Sequence, residues 1–340
     1  MRKKTDYSKM RPEQRIRLVE QIYISYPRLD AVLKRISYCH RYSKYAAEPE
    51  CFFIKGPSGA GKTTIMRSYK SKYPTGITEN GRLMPVLAAG TPTPATVKSL
   101  ATALLDSLGD PAADKGSTAN QTLRLYRYIK NCGVELIMLD EFQHFIDQDS
   151  QRILLNVSDW LKNLINETNL PMILIGLPYS DQVLDANVQL KRRFSSRQSL
   201  DPFSYKTDEQ WEDFRRFLKA VDTMLPFNDR SHLADQSMAY RFYHASGGIV
   251  AYVMKIVRGA AKIAINQSIE TLTLEVLAQA YEDALAGDNL EKKNPFENDI
   301  VRGDIEEMEK ELLKQKSLHT GSTNRRIKGR VKRIRSSDIL

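Results

Sequence analysis

The sequence predicts an α/β domain with a parallel sheet flanked by helices, then a small helical domain and a flexible basic C-terminal tail. Between residues 46 and 205, short apolar runs of strand length alternate with segments of helical periodicity. From residue 206 to residue 287, the periodic segments all have helical spacing. The last 22 residues are basic and contain too few apolar residues to form a core.

These changes in pattern divide the 340-residue chain into four expected segments. They are an N-terminal helical basic segment (1–45), an α/β nucleotide-binding domain (46–205), a helical lid domain (206–287), and a charged linker with a disordered basic tail (288–340).

The buried strands are expected where apolar runs are short and bounded by turn residues. They are CFFIK (51–55), MPVLAAG (84–90), VELIMLDE (134–141), PMILIG (171–176) and, with weaker signal, RQSLDPF (197–203). Helical spacing fills the segments between them, and Gly109 is placed to end the helix ATVKSLATALLDSLG. In the helical domain, Thr207 and Gln210 have the spacing of a capping box.

The net charge of +10 is concentrated at the two ends of the chain. Residues 1–46 carry a net charge of +8 and residues 319–340 carry +6, so the remainder is acidic at −4. Basic ends indicate contact with nucleic acid or with an acidic protein, although a solvated tail that aids solubility is the simpler alternative.

A phosphate-binding loop is predicted between the first strand and the helix that follows it. The segment GPSGAGKT (56–63) fits the pattern G-x-x-x-x-G-K-[ST], whose glycines let backbone N–H groups surround a β-phosphate. Lys62 would reach the β- and γ-phosphates of ATP, and the Thr63 hydroxyl would bind Mg²⁺. The expected ATP contacts are Gly56, Pro57, Ser58, Gly59, Ala60, Gly61, Lys62, Thr63, Thr64 and Asp140.

The segment LIMLDE supplies the second half of this site. Asp140 and Glu141 follow a buried strand, so Asp140 can join Thr63 as a Mg²⁺ ligand and Glu141 can deprotonate the attacking water. This pair favours hydrolysis over transfer of the phosphoryl group to a small metabolite.

Arg192 and Arg193, in LKRRFSSR, are candidates for an arginine finger that completes the site of a neighbouring subunit. The sequence leaves open which of the two acts, and a solvated basic helix end is the alternative.

Together these motifs resemble those of AAA+ ATPases, and more narrowly those of the TniB/TnsC family of transposition regulators. The resemblance covers about Tyr23 to Leu285 and rests on the segments YPRLDAVLKRI, TPATVKSLATALLDSLGDP, LIMLDEFQHFI, MILIGLP and RRF. The phosphate loop and the acidic pair are general to AAA+ proteins, whereas the second and third of these segments are closer to the family.

The resemblance implies a ring or filament of identical subunits, a hexamer or heptamer, around double-stranded target DNA. Lys98, and with a weaker signal Thr118 in the loop before the next helix, would contact phosphates without reading sequence. The assembly would connect a target-selection protein of the TniQ/TnsD type to the transposase, which we expect the C-terminal tail to capture. A bacterial, cytoplasmic, nucleoid-associated protein without a membrane span is expected.

Two departures from AAA+ patterns imply slow or partner-stimulated hydrolysis. The strand ILIGLP has no polar residue near its end, and the segment SGGIVAYVMK has no arginine. Two other functions therefore stay open at this point: a helicase loader or replication initiator, and a scaffold that ATP assembles without hydrolysis.

Overall fold

The structure is a computed structural model that describes residues 6–79, 81–146, 151–185, 187–285, 294–308 and 310. The chain forms two compact units. One unit comprises Ser25–Pro202, and the other combines Met1–Ile24 with Phe203–Leu340. Within the described residues, no helix is both long and apolar enough to cross a membrane.

Five parallel strands form the central sheet of the first unit, in the order β4-β5-β6-β1-β7. The residues of β5 and β6 are all buried, as expected for a parallel sheet covered on both faces. A separate antiparallel hairpin consists of β2 and β3. The strands are β1 Phe52–Lys55, β2 Gly76–Thr78, β3 Gly81–Leu83, β4 Val86–Gly90, β5 Leu136–Asp140, β6 Met172–Gly176 and β7 Ser196–Ser199.

Helices surround the sheet in the first unit and make up the regular structure of the second. The helices are α1 Pro12–Glu20, α2 Pro27–Tyr42, α3 Lys62–Lys70, α4 Val97–Leu108, α5 Thr118–Asn131, α6 Gln151–Thr168, α7 Asp181–Asp185, α8 Val188–Arg193, α9 Asp208–Met224, α10 Gln236–Ser246, α11 Val250–Asn266 and α12 Leu274–Leu285. Residues 302–308 form a further short helix. Gly109 ends α4 in a left-handed conformation, as predicted, and the Thr207 hydroxyl caps α9.

The strand register places the ends of four strands at one edge of the sheet. Lys55 pairs with Gly176, and Gly90 pairs with Asp140, so β1, β6, β4 and β5 end at similar heights. The loops that follow these strands therefore meet at the carboxyl edge, where parallel α/β sheets bind their ligands.

The second unit takes in the N-terminal helix because buried contacts hold that helix there. The Arg15 guanidinium is 5% exposed and binds the Glu270 carboxylate with two hydrogen bonds of 2.8 and 3.1 Å. Glu20, at the end of α1, pairs with Lys262 on α11. Part of the N-terminal positive charge is therefore used inside the protein.

The two units divide the chain differently from the four expected segments. The expected N-terminal segment 1–45 is split. Its helix α1 belongs to the second unit, which we call the helical unit, and α2 belongs to the first unit, which we call the α/β unit. Residues 294–308, expected in a charged linker, pack on the helical unit instead. Phe296, Ile305 and Met308 are buried, and the Phe296 ring lies 5.2 Å from the ring of Phe242. The expected disordered tail lies almost entirely outside the described residues.

Candidate nucleotide site

The predicted phosphate loop connects β1 to α3 at the carboxyl edge of the sheet. Gly61, with a φ of 94°, is the residue before α3 and offers no side-chain cap, which leaves the first N–H groups of the helix available to an anion. Gly56 packs against Leu200, the residue after β7, because a Cβ atom on Gly56 would lie 2.6 Å from the Leu200 carbonyl oxygen. The loop therefore needs glycine at both ends, for two different reasons.

Lys62 is the first residue of α3, and its ammonium group folds back over the loop. Its Nζ atom donates to the carbonyl oxygens of Gly56 and Pro57 at 2.8 and 2.9 Å. The residue is 7% exposed, and this burial lowers the pKa of its ammonium group, while Glu141 and Asp140 act in the opposite direction. A cation held this way is placed to exchange carbonyl oxygens for phosphate oxygens.

The predicted metal ligands meet although they are far apart in the sequence. The Thr63 hydroxyl donates to Asp140 Oδ2 at 2.7 Å, and the Glu141 N–H donates to Asp140 Oδ1 at 2.9 Å. Asp140 is 3% exposed, and burial raises the pKa of its carboxyl group despite these two bonds. The acidic pair thus forms one cluster with the phosphate loop.

This cluster fits a magnesium–nucleotide complex. Thr63 and Asp140 offer hard oxygen ligands, and Mg²⁺ commonly takes one or two protein ligands and completes its shell with phosphate and water. Thr91, which follows β4, has a buried hydroxyl without a hydrogen-bond partner in the described part of the chain. Its N–H donates to the Asp140 carbonyl at 2.8 Å, so this unpartnered hydroxyl lies beside the cluster.

Sequence reasoning missed two residues that support this site. The Tyr26 hydroxyl lies 3.5 Å from the Ala60 carbonyl oxygen of the phosphate loop. The Gln143 amide donates to the Glu141 carboxylate and accepts from the Leu177 N–H at 3.3 Å. Tyr26 and Gln143 lie in the segments YPRLDAVLKRI and LIMLDEFQHFI, which carry the family resemblance, but only the fold shows that their side chains reach the site.

The structure separates the two candidate finger arginines by their exposure. The Arg192 side chain is 76% exposed and touches Glu48 at 3.4 Å. The Arg193 side chain is 14% exposed and donates to Asn166 at 2.7 Å. A third arginine of the same segment, Arg197, is held by Asp181 and Asp185 and fixes α7 to β7.

The two candidate DNA contacts lie on the first turns of neighbouring helices. Lys98 is exposed on α4, and Thr118 is half-buried on α5. The helices are joined near these residues, since the Gln121 amide donates to the Thr102 hydroxyl at 2.8 Å. Thr118 was expected in a loop; it begins α5 because the Ser117 hydroxyl accepts from the Asn120 N–H and caps the helix there.

A cavity of about 330 Å³ lies away from this site, near the amino ends of β5 and β6. His40, Tyr73 and Glu135 line it, together with Arg41 on the last turn of α2 and Lys44 just after that helix. The phosphate loop is at the opposite edge of the sheet, so this cavity is no part of the candidate nucleotide site.

A protein-family model described as "Bacterial TniB protein" matches residues 15–204, which is more than half of the chain. No curated protein matches the sequence.

Solved structures with similar folds include two archaeal proteins and an insect complex. The Orc1 protein of Aeropyrum pernix, solved with DNA, has a TM-score of 0.55 and 16% identity over 79% of this chain and 69% of that chain. Cdc6p of Pyrobaculum aerophilum has a TM-score of 0.57 and 13% identity over 79% and 71% of the two chains. Drosophila ORC bound to DNA has a TM-score of 0.53 and 15% identity over 84% and 71%.

At these identities the likeness shows the fold alone. The chain has the AAA+ P-loop NTPase fold, in which a parallel five-stranded sheet is flanked by helices. The fold class predicted from the sequence is confirmed for the described residues.

Proposed function

Because the chain belongs to the bacterial TniB family, we propose that it is an ATP-dependent, DNA-binding AAA+ regulator of transposition that hydrolyses ATP. The observation that carries the enzymatic part is the cluster of Lys62, Thr63, Asp140 and Glu141 at the end of the phosphate loop. Both halves of a phosphoryl-transfer site meet there, joined by the 2.7 Å hydrogen bond from Thr63 to Asp140.

Each residue of the cluster has a distinct role in the proposed reaction. Glu141 accepts a proton from the water that attacks the γ-phosphorus, the bond from that phosphorus to the bridging oxygen breaks, and ADP leaves. Lys62 neutralises the charge that develops on the β- and γ-phosphate oxygens. Thr63 and Asp140 would hold Mg²⁺, which supplies further charge neutralisation when it is bound.

The assembly that we propose is a ring or filament of identical subunits on double-stranded DNA, which links a target-selection protein to the transposase. Support comes from the family match and from the exposed Lys98 on α4. The exposure of Arg192 also suits an arginine finger, because the guanidinium of a finger has to project from the surface of its own subunit into the nucleotide site of the neighbouring one.

Two variants test the enzymatic proposal. Lys62→Ala should abolish ATP binding, because it removes the ammonium group that would bind the β- and γ-phosphates. Glu141→Gln should retain ATP binding and lose hydrolysis, because Asp140 and Thr63 remain. Binding of a fluorescent ATP analogue and phosphate release, each measured with and without DNA, separate the two steps.

The same measurements decide between hydrolysis and ATP-gated assembly. Turnover in Glu141→Gln that equals the wild-type rate would contradict the role of Glu141. A wild-type protein that binds ATP and assembles on DNA without releasing phosphate would instead be a scaffold that ATP gates.

A further inference from the structure

Gln143 lies on the 3-10 turn Phe142–Phe145, directly after the acidic pair, and its side chain is almost fully buried at 4% exposure. Both ends of its amide have partners. Its Nε2 donates to Glu141 Oε2, and its Oε1 accepts from the Leu177 N–H at 3.3 Å. The partners fix the orientation of the amide, because a carboxylate only accepts hydrogen bonds and a backbone N–H only donates them.

The backbone of Glu141 is held in an unusual conformation, which makes the direction of its side chain sensitive to local contacts. Its φ is 56°, in the left-handed region that residues other than glycine seldom occupy. The Glu141 N–H is bound to Asp140, and the Glu141 carbonyl accepts from the His144 N–H at 3.1 Å. The backbone is therefore anchored on both sides, and Gln143 anchors the carboxylate.

The other end of the amide reaches the strand beside the phosphate loop. Leu177 follows Gly176, the last residue of β6, and the Gly176 carbonyl accepts from the Gly56 N–H at 3.2 Å. A continuous path thus runs from Gly56 in the loop through Gly176, Leu177 and Gln143 to the carboxylate of Glu141. Every non-covalent step on this path is a hydrogen bond.

Close packing keeps this path short. A Cβ atom on Gly176 would lie 2.7 Å from the Ser180 hydroxyl and 3.3 Å from the Cβ atom of Phe142. Phe142 and Phe145 are fully buried, with their rings 5.4 Å apart, so the turn that carries Gln143 cannot move away freely. The amide is therefore held in place at a fixed distance from the end of β6.

We propose that Gln143 is a positioning residue for ATP hydrolysis, which aligns the Glu141 carboxylate with the phosphate loop through Leu177 and Gly176. This inference rests on the proposed function, in which Glu141 accepts the proton of the attacking water. Gln143 acts through Glu141 and touches no substrate. Displacement of the Glu141 carboxylate by about 1 Å can lower the rate of hydrolysis on the order of 100-fold while ATP binding is unchanged.

Two substitutions separate the two ends of the amide. Gln143→Met has a similar volume and removes both hydrogen bonds. Gln143→Glu retains an acceptor for the Leu177 N–H but places a second carboxylate against Glu141. We expect both variants to lower kcat about 10-fold or more and to leave the dissociation constant of ATP within about 2-fold of the wild-type value.

The control is a double-mutant cycle with Glu141→Gln. A residue that acts only through Glu141 should cause no further loss once the carboxylate is gone. Gln143→Met combined with Glu141→Gln should therefore hydrolyse ATP at the residual rate of Glu141→Gln alone. If Gln143→Met does not fold, as judged by its thermal unfolding, Gln143→Glu carries the same cycle.

Several results would overturn the inference, and they differ from the result that overturns the proposed function. Wild-type turnover in Gln143→Met, full activity in Gln143→Glu, or an additive loss in the double variant each rejects positioning by Gln143. If Glu141→Gln abolishes hydrolysis in the same experiments, the proposed function survives that rejection. A wild-type protein that releases no phosphate with DNA and ATP overturns both.

Discussion

At the scale of single residues, Asp140 is a proposed metal ligand whose charged carboxylate is unfavourably buried when no metal ion neutralises it. Burial raises the pKa of the Asp140 carboxyl group, so the ionised form is disfavoured and the nucleotide-free fold gains stability as the pH falls through that pKa. Asp140→Asn removes the charge and keeps an acceptor for the Thr63 hydroxyl. We expect a higher Tm without nucleotide, by about 2–4 °C for each kcal/mol gained, and loss of the stabilisation by Mg²⁺-ATP. Thermal unfolding at pH 7.5 with and without Mg²⁺-ATP measures both effects, and a lower Tm without nucleotide would contradict the prediction.

The two arginines at the end of α8 should also behave differently from each other. Arg192→Ala should lower hydrolysis in the assembled protein without weakening ATP binding, because its exposed side chain makes only a peripheral contact with Glu48. Arg193→Ala should instead lower the Tm, because it removes the hydrogen bond to Asn166.

Mixed assemblies test whether Arg192 acts between subunits. A subunit with Arg192→Ala has an intact nucleotide site, and a subunit with Lys62→Ala still has Arg192. Mixing the two variants should therefore release more phosphate than either variant releases alone. If Arg193→Ala complements Lys62→Ala in this way and Arg192→Ala does not, the assignment is reversed.

At the scale of helices and strands, burial explains which elements the sequence revealed. The strands β1, β4, β5 and β6 are apolar and buried, so their runs stand out in the sequence. The hairpin of β2 and β3 was missed because its strands have three exposed residues each and no alternating pattern. The last strand, β7, begins at Ser196, one residue ahead of the expected RQSLDPF. Its residues are polar, so no apolar run marks its bounds in the sequence, and only its pairing with β1 defines them.

The same limit applies to the candidate site. The phosphate loop and the acidic pair follow from spacing along the chain, because both have residue types that the chemistry demands. The role proposed for Gln143 depends on its contact with Leu177, the residue after β6, and a single sequence does not show that contact. The choice between Arg192 and Arg193 depends on exposure, which two adjacent identical residues cannot indicate.

The contacts of α2 with α3 and with Glu135, the residue before β5, predict a dependence of stability on pH. His40 is buried and contacts the Tyr69 hydroxyl at 2.9 Å and the Glu135 carboxylate at 3.1 Å. Burial lowers the pKa of His40 from its usual 6.5, although Glu135 raises it in part. As the pH falls, the unfolded chain therefore takes up the proton of His40 before the folded chain does. The contribution of neutral His40 to the free energy of unfolding is present above about pH 6.5 and is lost as the pH falls through the lower pKa of the folded state.

His40→Gln should flatten this dependence. We expect the urea midpoint of the wild-type protein to fall more between pH 7.5 and pH 5.5 than that of the variant, because glutamine does not titrate. Tyr73, Arg41 and Lys44 surround the same position and are unchanged in the variant, so they serve as a constant background. Equal pH dependence in the two proteins would assign the effect to other groups.

At the scale of the whole molecule, the proposed assembly on DNA predicts a binding reaction that depends on salt and ATP but not on sequence. Lys98→Glu should weaken binding to all duplexes equally and lower the slope of log K against log salt by about 0.9 for the lost phosphate contact. Lys130→Glu is a matched control, because Lys130 is exposed at the other end of α5 from Thr118. Fluorescence anisotropy over a range of salt concentrations measures the slopes. An equal change in both variants, or binding that is insensitive to salt, would contradict the DNA contact.

Two truncations separate the proposed tether from the fold of the helical unit. Residues 319–340 lie outside the described residues, and their run RRIKGRVKRIR has seven basic residues and three apolar ones, a composition that suits capture of a partner more than independent folding. A chain that ends at residue 318 should retain ATP-dependent assembly on DNA and recruit less transposase.

A chain that ends at residue 293 should lose stability as well. It lacks the buried Phe296, Ile305 and Met308, and its Arg241 has lost the contacts to Pro295, Asn298 and Asp299. Thermal unfolding, assembly on DNA and pull-down of the transposase distinguish the two chains. Normal recruitment by the chain that ends at residue 318 would leave the tail as a solubilising or DNA-binding extension, and loss of assembly in that chain would make it part of the ring.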